Sequence, residues 1–319
     1  HGTAASRISH LNMLAFILRR FLSLLGVLVC VVTITFLLIR LATGGPLSAE
    51  REIPEAVRQA LLEKYQLDGS IWSQYGRYLK SVLQGDLRLS LQYQNRSVNE
   101  ILANSLPVSF TLGGMAFLIA TIGGVFLGTI AAIWKNTWID HGAMIAALLS
   151  ISTPAFVTGP LLILVFALSL SWFPVGGWFT LKSMILPSFV LAAPYLAYIA
   201  RLLRTSMLDV LKKDFVRTAY AKGLHPAKVT SKHVLKCAIL PVITFLGPLA
   251  ANLLTGSIVV ESIFNIPGAG AFFVKSIASR DGFLLCGVVV VYCTLLVVFN
   301  FIVDLLYVLI DRRIKLYGS

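Results

Sequence analysis

Two carboxylates stand within or beside long apolar runs, Glu261 and Asp304, and a basic segment, residues 214–244, reads DFVRTAYAKGLHPAKVTSKHVLKCAILPVIT between two such runs. A carboxylate in an apolar setting either performs a function there or is held by a base or by backbone donors. For Asp304 the structural alternative is an ion pair with Arg201 or Arg204. Glu261 lies next to a Pro/Gly turn, where it either caps the adjacent backbone or meets a partner; its position leaves both open. Bond-breaking chemistry has no support. No G-x-x-x-x-G-K-[ST] cradles phosphate, and no HExxH, paired carboxylates or Ser/His/Asp grouping is present. Cys30, Cys237, Cys286 and Cys293 lack metal-ligand spacing and read as small packing residues, and His225 and His233 as solvated or structural side chains. The expectation is therefore no metal site, no cofactor held by this chain and no catalysis within it.

Groups of this kind need a membrane to position them. The 319 residues are 57% hydrophobic and only 13% charged, the latter about half the usual share. Such a chain cannot cover itself with polar surface in water. It reads as an all-α integral membrane protein, because a backbone facing lipid must satisfy its own hydrogen bonds. The net charge of +13 invites a nucleic-acid reading, but its distribution argues against one. Between residues 201 and 236 nine Lys/Arg stand against two Asp, a net +7 confined between apolar runs. The excess of positive charge in cytoplasmic loops explains this more simply.

A span needs about 20 apolar residues. Six stretches qualify, at roughly 21–39, 106–133, 142–170, 184–203, 239–260 and 283–309. Pro154 and Pro160 predict kinks in the third. Gly124 and Gly128 of the second form a GxxxG that either permits close helix packing or merely loosens the helix. Arg19 and Arg20 before the first span, the 201–236 cluster, and Arg312, Arg313 and Lys315 after the sixth fall on one side. That side is read as the cytoplasm, with both termini on it. The first run is too long for a signal-peptide core and is taken as uncleaved. Residues 1–12 read as a scar of expression, with Met13 the natural start. The organisation is then a first span within 13–40, an extracytoplasmic helical insertion at 41–105, a transport core at 106–310 with a cytoplasmic loop at 205–238, and a tail at 311–319. The insertion is nearly neutral, with eight Lys/Arg and seven Asp/Glu over 40–105. Val57, Leu61 and Tyr65, then Trp72, Tyr75, Leu79 and Val82, recur at helical spacing, with Gly69 a stop and Ser70 an N-cap between them.

In the basic segment Leu208, Leu211, Phe215 and Ala219 predict one amphipathic helical face, ended by Gly223 and Pro226. An ordinary basic loop on anionic lipid is the alternative. Here the motifs become specific. Arg217-Thr218-Ala219-Tyr220-Ala221-Lys222-Gly223-Leu224, followed by Leu240-Pro241, resembles the coupling loop of ABC importer permeases of the dipeptide/oligopeptide branch. The general importer signature opens Glu-Ala-Ala; Arg217-Thr218-Ala219 departs from it as that branch does. The likeness runs over nearly the whole chain. Gly85-Asp86-Leu87 with Ser90, Leu186-Pro187, Ala200-Arg201, Arg204-Thr205-Ser206-Met207, the run from Glu261 to Gly270 (ESIFNIPGAG), and Asp304, Tyr307, Asp311 and Arg313 follow in family order. Gly44-Gly45-Pro46 replaces a frequent Gly-Asp-Pro, which puts a role near Pro46 in doubt, and Arg312 replaces a frequent proline.

The resemblance implies an ABC importer type I permease fold of six transmembrane helices in a bacterial cytoplasmic membrane, moving peptides inward. It implies four kinds of partner: a second homologous permease, two cytoplasmic ATPases that bind ATP and Mg, an extracytoplasmic substrate-binding protein, and the lipid bilayer. It assigns ATPase coupling to Phe215, Thr218, Ala219, Lys222, Gly223 and Leu224. Binding-protein docking or the outer gate falls to Asn265, Ile266, Pro267, Gly268 and Ala269, where a structural turn is the alternative. No residue stands out as contacting substrate. Two other functions fit the same sequence. One keeps the architecture and carries nickel chelates, glutathione or another small solute. The other is an ATP-independent carrier or channel, disfavoured because spans two, three and five have almost no ionisable residue at their centres.

Overall fold

The computed structural model describes residues 22, 23, 25–37, 59, 63–65, 68–93 and 95–310, with the backbone alone for 304–310. The expectations for residues 1–12, Gly44-Gly45-Pro46, Val57, Leu61 and the tail 311–319, and for the side chain of Asp304, lie outside the described residues. Among the described residues everything regular is helical, apart from one antiparallel bridge between Leu89 and Ser97. In chain order the helices are α1 (Leu25–Leu37), α2 (Ile71–Leu83), α3 (Val98–Ile133), α4 (Trp138–Ser152), α5 (Ala155–Ser169), α6 (Leu181–Val210), α7 (Asp214–Ala221), α8 (Pro226–Ala238), α9 (Leu240–Leu254), α10 (Ile258–Ile263), α11 (Ala269–Ala278) and α12 (Gly282–Ile310). By length and composition α3, α6 and α12 can each cross a bilayer. The pairs α4–α5 and α8–α9 raise the number to five if each bent pair is one span. The expected six is not reached: α1, in the place of the first span, is a shorter apolar helix among the described residues.

The breaks have local causes. Thr153 leaves helical geometry with ψ 120°, Pro154 cannot supply the next helical N–H, and α5 departs from α4 at 114°. This is the kink expected at Pro154. Pro160 lies inside α5, whose last seven residues, Ile163–Ser169, widen into a π-helix. Helix α6 starts in a capping box, with Thr180 Oγ1 accepting from Ser183 N and Ser183 Oγ from Thr180 N. Helices α8 and α9 meet at a 51° bend just before Pro241.

The described residues form two compact units, one from His1–Leu106 with Phe272–Ser319 and the other Pro107–Ala271. In the second, α3 and α6 touch through their backbones. A Cβ on Gly124 would stand 2.7 Å from Ile199 Cβ, and one on Gly128 would stand 2.6 Å from Ala200 O. The GxxxG therefore serves close packing. Ala116, Ala120, Ile199, Leu203, Met207 and Leu249 are buried beside this seam. Gly128→Leu is expected to lower stability by about 1–3 kcal/mol, since the obstructing atom is backbone and cannot rotate away. Gly114→Leu, which meets nothing within 4 Å, should leave the thermal unfolding midpoint of the detergent-solubilised chain unchanged.

In the first unit, Ser70 caps α2 by accepting from Ser73 N at 3.3 Å. The helix buries Gln74 and Tyr78, so the face expected from Trp72, Tyr75, Leu79 and Val82 is rotated: Trp72 is 73% exposed. Rings decide the rotation. Tyr78 stacks on Phe36 of α1 at 5.8 Å and lies 6.4 Å from Phe283 of α12, contacts worth about 0.5–1.5 kcal/mol each beyond area burial. Segment 85–93 is pinned by polar contacts. Asp86 Oδ1 accepts from Arg88 N, Asn99 Oδ1 from Leu87 N, and Asn99 Nδ2 donates to Gly85 O. The fully buried Asp281 accepts from Ser90 Oγ and from Gln92 N through Oδ2, and from Leu284 N through Oδ1, capping α12.

Candidate functional site

The basic loop is not one continuous helix. Helix α6 stops at Val210, Leu211 and Lys212 close turns, and α7 starts afresh after Lys213. The face predicted from Leu208 through Ala219 is therefore split. Phe215 points to the surface at 46% exposure, while Val216 and Ala219 are buried against the core. Helix α7 ends in a Schellman turn: Leu224 N donates to Ala219 O and Gly223 N to Tyr220 O. Gly223 holds φ +75° there, a conformation open to glycine and costly for residues with a Cβ. Thr218 Oγ1 donates to Asp214 O inside the helix. Pro226 then opens α8, with His225 Nδ1 accepting from Ala227 N at 3.4 Å.

Of the residues assigned to coupling, Phe215, Thr218, Lys222 and Gly223 lie at the surface. Ala219 is buried and Leu224 half-buried against the same apolar cluster, so these two anchor the loop. Tyr220, 44% exposed, joins the outward side, although it is not among the residues assigned to coupling.

The turn at 265–269 is mostly interior. Ile266, Gly268 and Ala269 are buried, and Asn265 (φ 50°) and Pro267 face outward. Its organising group is Glu261, fully buried. Glu261 Oε2 accepts from Ala271 N at 3.1 Å. Ser109 Oγ of α3 accepts from Ala269 N at 3.0 Å. A Cβ on Gly268 would collide with Glu261 Oε2, and one on Gly270 would come within 2.9 Å of it. The spacing of Glu261, Gly268 and Gly270 thus has a physical reason: the carboxyl occupies the room that the missing side chains leave. Burial pushes the Glu261 pKa up, opposed by hydrogen bonds from Ser109 and from the backbone of Ala271, Gly270 and Ser257. Glu261 thus caps the backbone at the start of α11.

Arg204 is held by a carboxylate that the sequence reading did not single out. Its Nε and Nη2 grip Asp140 Oδ1 and Oδ2 at 2.5 and 2.6 Å, and Asp140 Oδ2 also accepts from Asn136 N. Asp140 is buried in the first turn of α4, so the pair fastens the α3–α4 turn to α6. Arg201 is exposed, and the pairing expected for Asp304 lies outside the described residues. An acid in a helix's first turn after Asn136-Thr137 was the available signal for Asp140. For Asp281 it was the place just before a long apolar helix, an N-cap position.

The layout, membrane-length helices interrupted by a short surface helix on a basic loop, is that of a transport permease. Residues 124–316 match the model of the family described as "Binding-protein-dependent transport system inner membrane component". The chain is 43% identical to the oligopeptide transport system permease protein OppB of Haemophilus influenzae, over 95% of this chain and 100% of that protein. It is 44% identical to the dipeptide transport system permease protein DppB of Bacillus subtilis, over 96% and 99%. In fold it is similar to the MetNI methionine ABC transporter in inward-facing conformations, with a TM-score of 0.54 at 13% identity over 66% of this chain and 97% of that one. The chain belongs to the family of binding-protein-dependent inner-membrane transport components and, within it, to the ABC importer permeases of the dipeptide/oligopeptide branch.

Proposed function

We propose that this chain is the membrane-spanning permease subunit of an ATP-driven importer that moves di- and oligopeptides inward across a bacterial cytoplasmic membrane. A second permease completes the pathway, an extracytoplasmic binding protein delivers the peptide, and two cytoplasmic ATPases bind ATP and Mg. Both termini and the 205–238 loop lie in the cytoplasm, and the 41–105 insertion lies outside, as the placement of Lys and Arg supports.

The observation that carries this reading is the build of α7. One face, Val216 and Ala219, is anchored in the apolar cluster. The other presents Phe215, Thr218 and Lys222 with no residue packed over them among those described. A short helix held from behind and bare in front can pass a push from an ATPase into α6 and α8. Closure of the ATPases on ATP moves α7 and switches the permease pair between inward-facing and outward-facing states. Full-length similarity to permeases named for oligopeptide and dipeptide transport supports the cargo class.

Purification in mild detergent tests the assembly. Two ATPases and a second permease should co-purify, and vanadate should stop peptide uptake in reconstituted membranes. A lone homo-oligomer, or uptake indifferent to vanadate, would overturn the reading.

A further inference from the structure

Glu261 is fully buried, yet only one of its carboxyl oxygens is plainly satisfied: Oε2 takes the Ala271 N–H, while Oε1 has no hydrogen-bond partner among the described residues. The groups facing it are Ser109 from α3, the backbone N–H groups of Gly270 and Ala271 at the start of α11, and Ser257 from its own helix. None is cationic, and no Lys, Arg or His pairs with it among the described residues. Leu112, Val260, Phe264 and Ile266 fill the adjoining cluster. An ionised carboxylate in that place would be a buried charge without a counter-charge, whereas the neutral acid fits.

We infer that Glu261, as the neutral acid, is a latch that holds the 265–270 turn and the start of α11 against Ser109 of α3, and that loss of its proton frees the turn. Glu261 is then a positioning residue: it sets where Asn265 and Pro267, the exposed residues of the turn, are presented. Two glycines and a serine on three segments converge on this one carboxyl, more than a single helix end requires. The raised pKa agrees with this arrangement. The sign follows from linkage. The closed turn binds the proton more tightly than an open, hydrated one. Closure is therefore fully favoured below the ordinary carboxylate range and weakens as pH rises from that range to the raised value. The limit is about tenfold in the closed-to-open ratio per pH unit.

The test is hydrogen exchange of the backbone amides of residues 265–271 in the full-length chain in lipid nanodiscs. Rates are corrected for intrinsic exchange and followed from roughly pH 5 to 9. The wild-type chain should lose protection with rising pH, by up to about tenfold per unit. Glu261→Gln keeps the acceptor and cannot ionise, so it should stay protected throughout. Glu261→Ala should be unprotected throughout, with protection around Leu203 in α6 as the control for folding. A wild-type profile flat with pH, or a Glu261→Gln profile that falls as the wild type does, would overturn the latch. Should Glu261→Ala not fold, the wild-type and Gln profiles decide alone. None of these readouts depends on which solute is carried.

Discussion

Asp140→Ala should lower the stability of the chain by about 3 kcal/mol or more and deplete it from the membrane. The substitution leaves Arg204 three-quarters buried with no carboxylate, and removing one member of such a pair costs about 3–5 kcal/mol. It also strips Asn136 N of its acceptor at the mouth of α4. Arg204→Met should be similarly harmful, because Asp140 is the more deeply buried partner. The informative variant is the double one, Asp140→Leu with Arg204→Met. An apolar pair of similar volume removes both charges at once and should recover most of the loss. Thermal unfolding in detergent and membrane abundance measure this. A double variant no better than the worse single one would mean that the ion pair is not the source of the effect.

The second large effect is expected at Gly223. Nothing lies within 4 Å of where its Cβ would be, so Gly223→Val introduces no clash. The cost is conformational: a β-branched residue at φ +75° loses roughly 1–2 kcal/mol, enough to shift the Schellman turn and with it Lys222. Membrane abundance should hold, while ATPase retention and peptide uptake fall by about tenfold or more, the equivalent of 1.4 kcal/mol in affinity. Gly223→Asn, which tolerates left-handed geometry, should retain most of both. Unchanged retention and uptake in Gly223→Val would remove this loop from the coupling role.

Much of the architecture was legible because the forces that set it are local. Apolar run length marks membrane-crossing helices, Pro154 marks a break, and Gly124 with Gly128 marks a seam between helices. The ESIFNIPGAG run was visible as a motif, but its reason was not: Glu261 and Gly268 are joined only once the chain turns back on itself. The break at residues 211–213 carried no signal, since Leu211-Lys212-Lys213 contains no glycine, proline or capping side chain. Periodicity therefore ran one helix through it and put Phe215 and Ala219 on one face. Helix position could mark Asp140 and Asp281 as capping acids, but their pairings with Arg204 and Ser90 were out of reach for another reason. Each is an ordinary polar residue until a partner far along the chain arrives, and spacing analysis sees only neighbours. The rotation of α2 was likewise set by Phe36 and Phe283, which lie on other helices.

That distance along the chain has a temporal side. Ser90 and Asp281 are 191 residues apart. At 5–20 residues per second a ribosome needs roughly 10–40 s to travel from one to the other. During that interval the segment around Ser90 has already left the exit tunnel with its hydroxyl and the Gln92 N–H still wanting their acceptor. The carboxylate that completes them arrives only with the final long helix. The loop that matures last is thus among the earliest made, and a nascent chain arrested before Asp281 should display residues 85–93 to proteases that the finished protein resists.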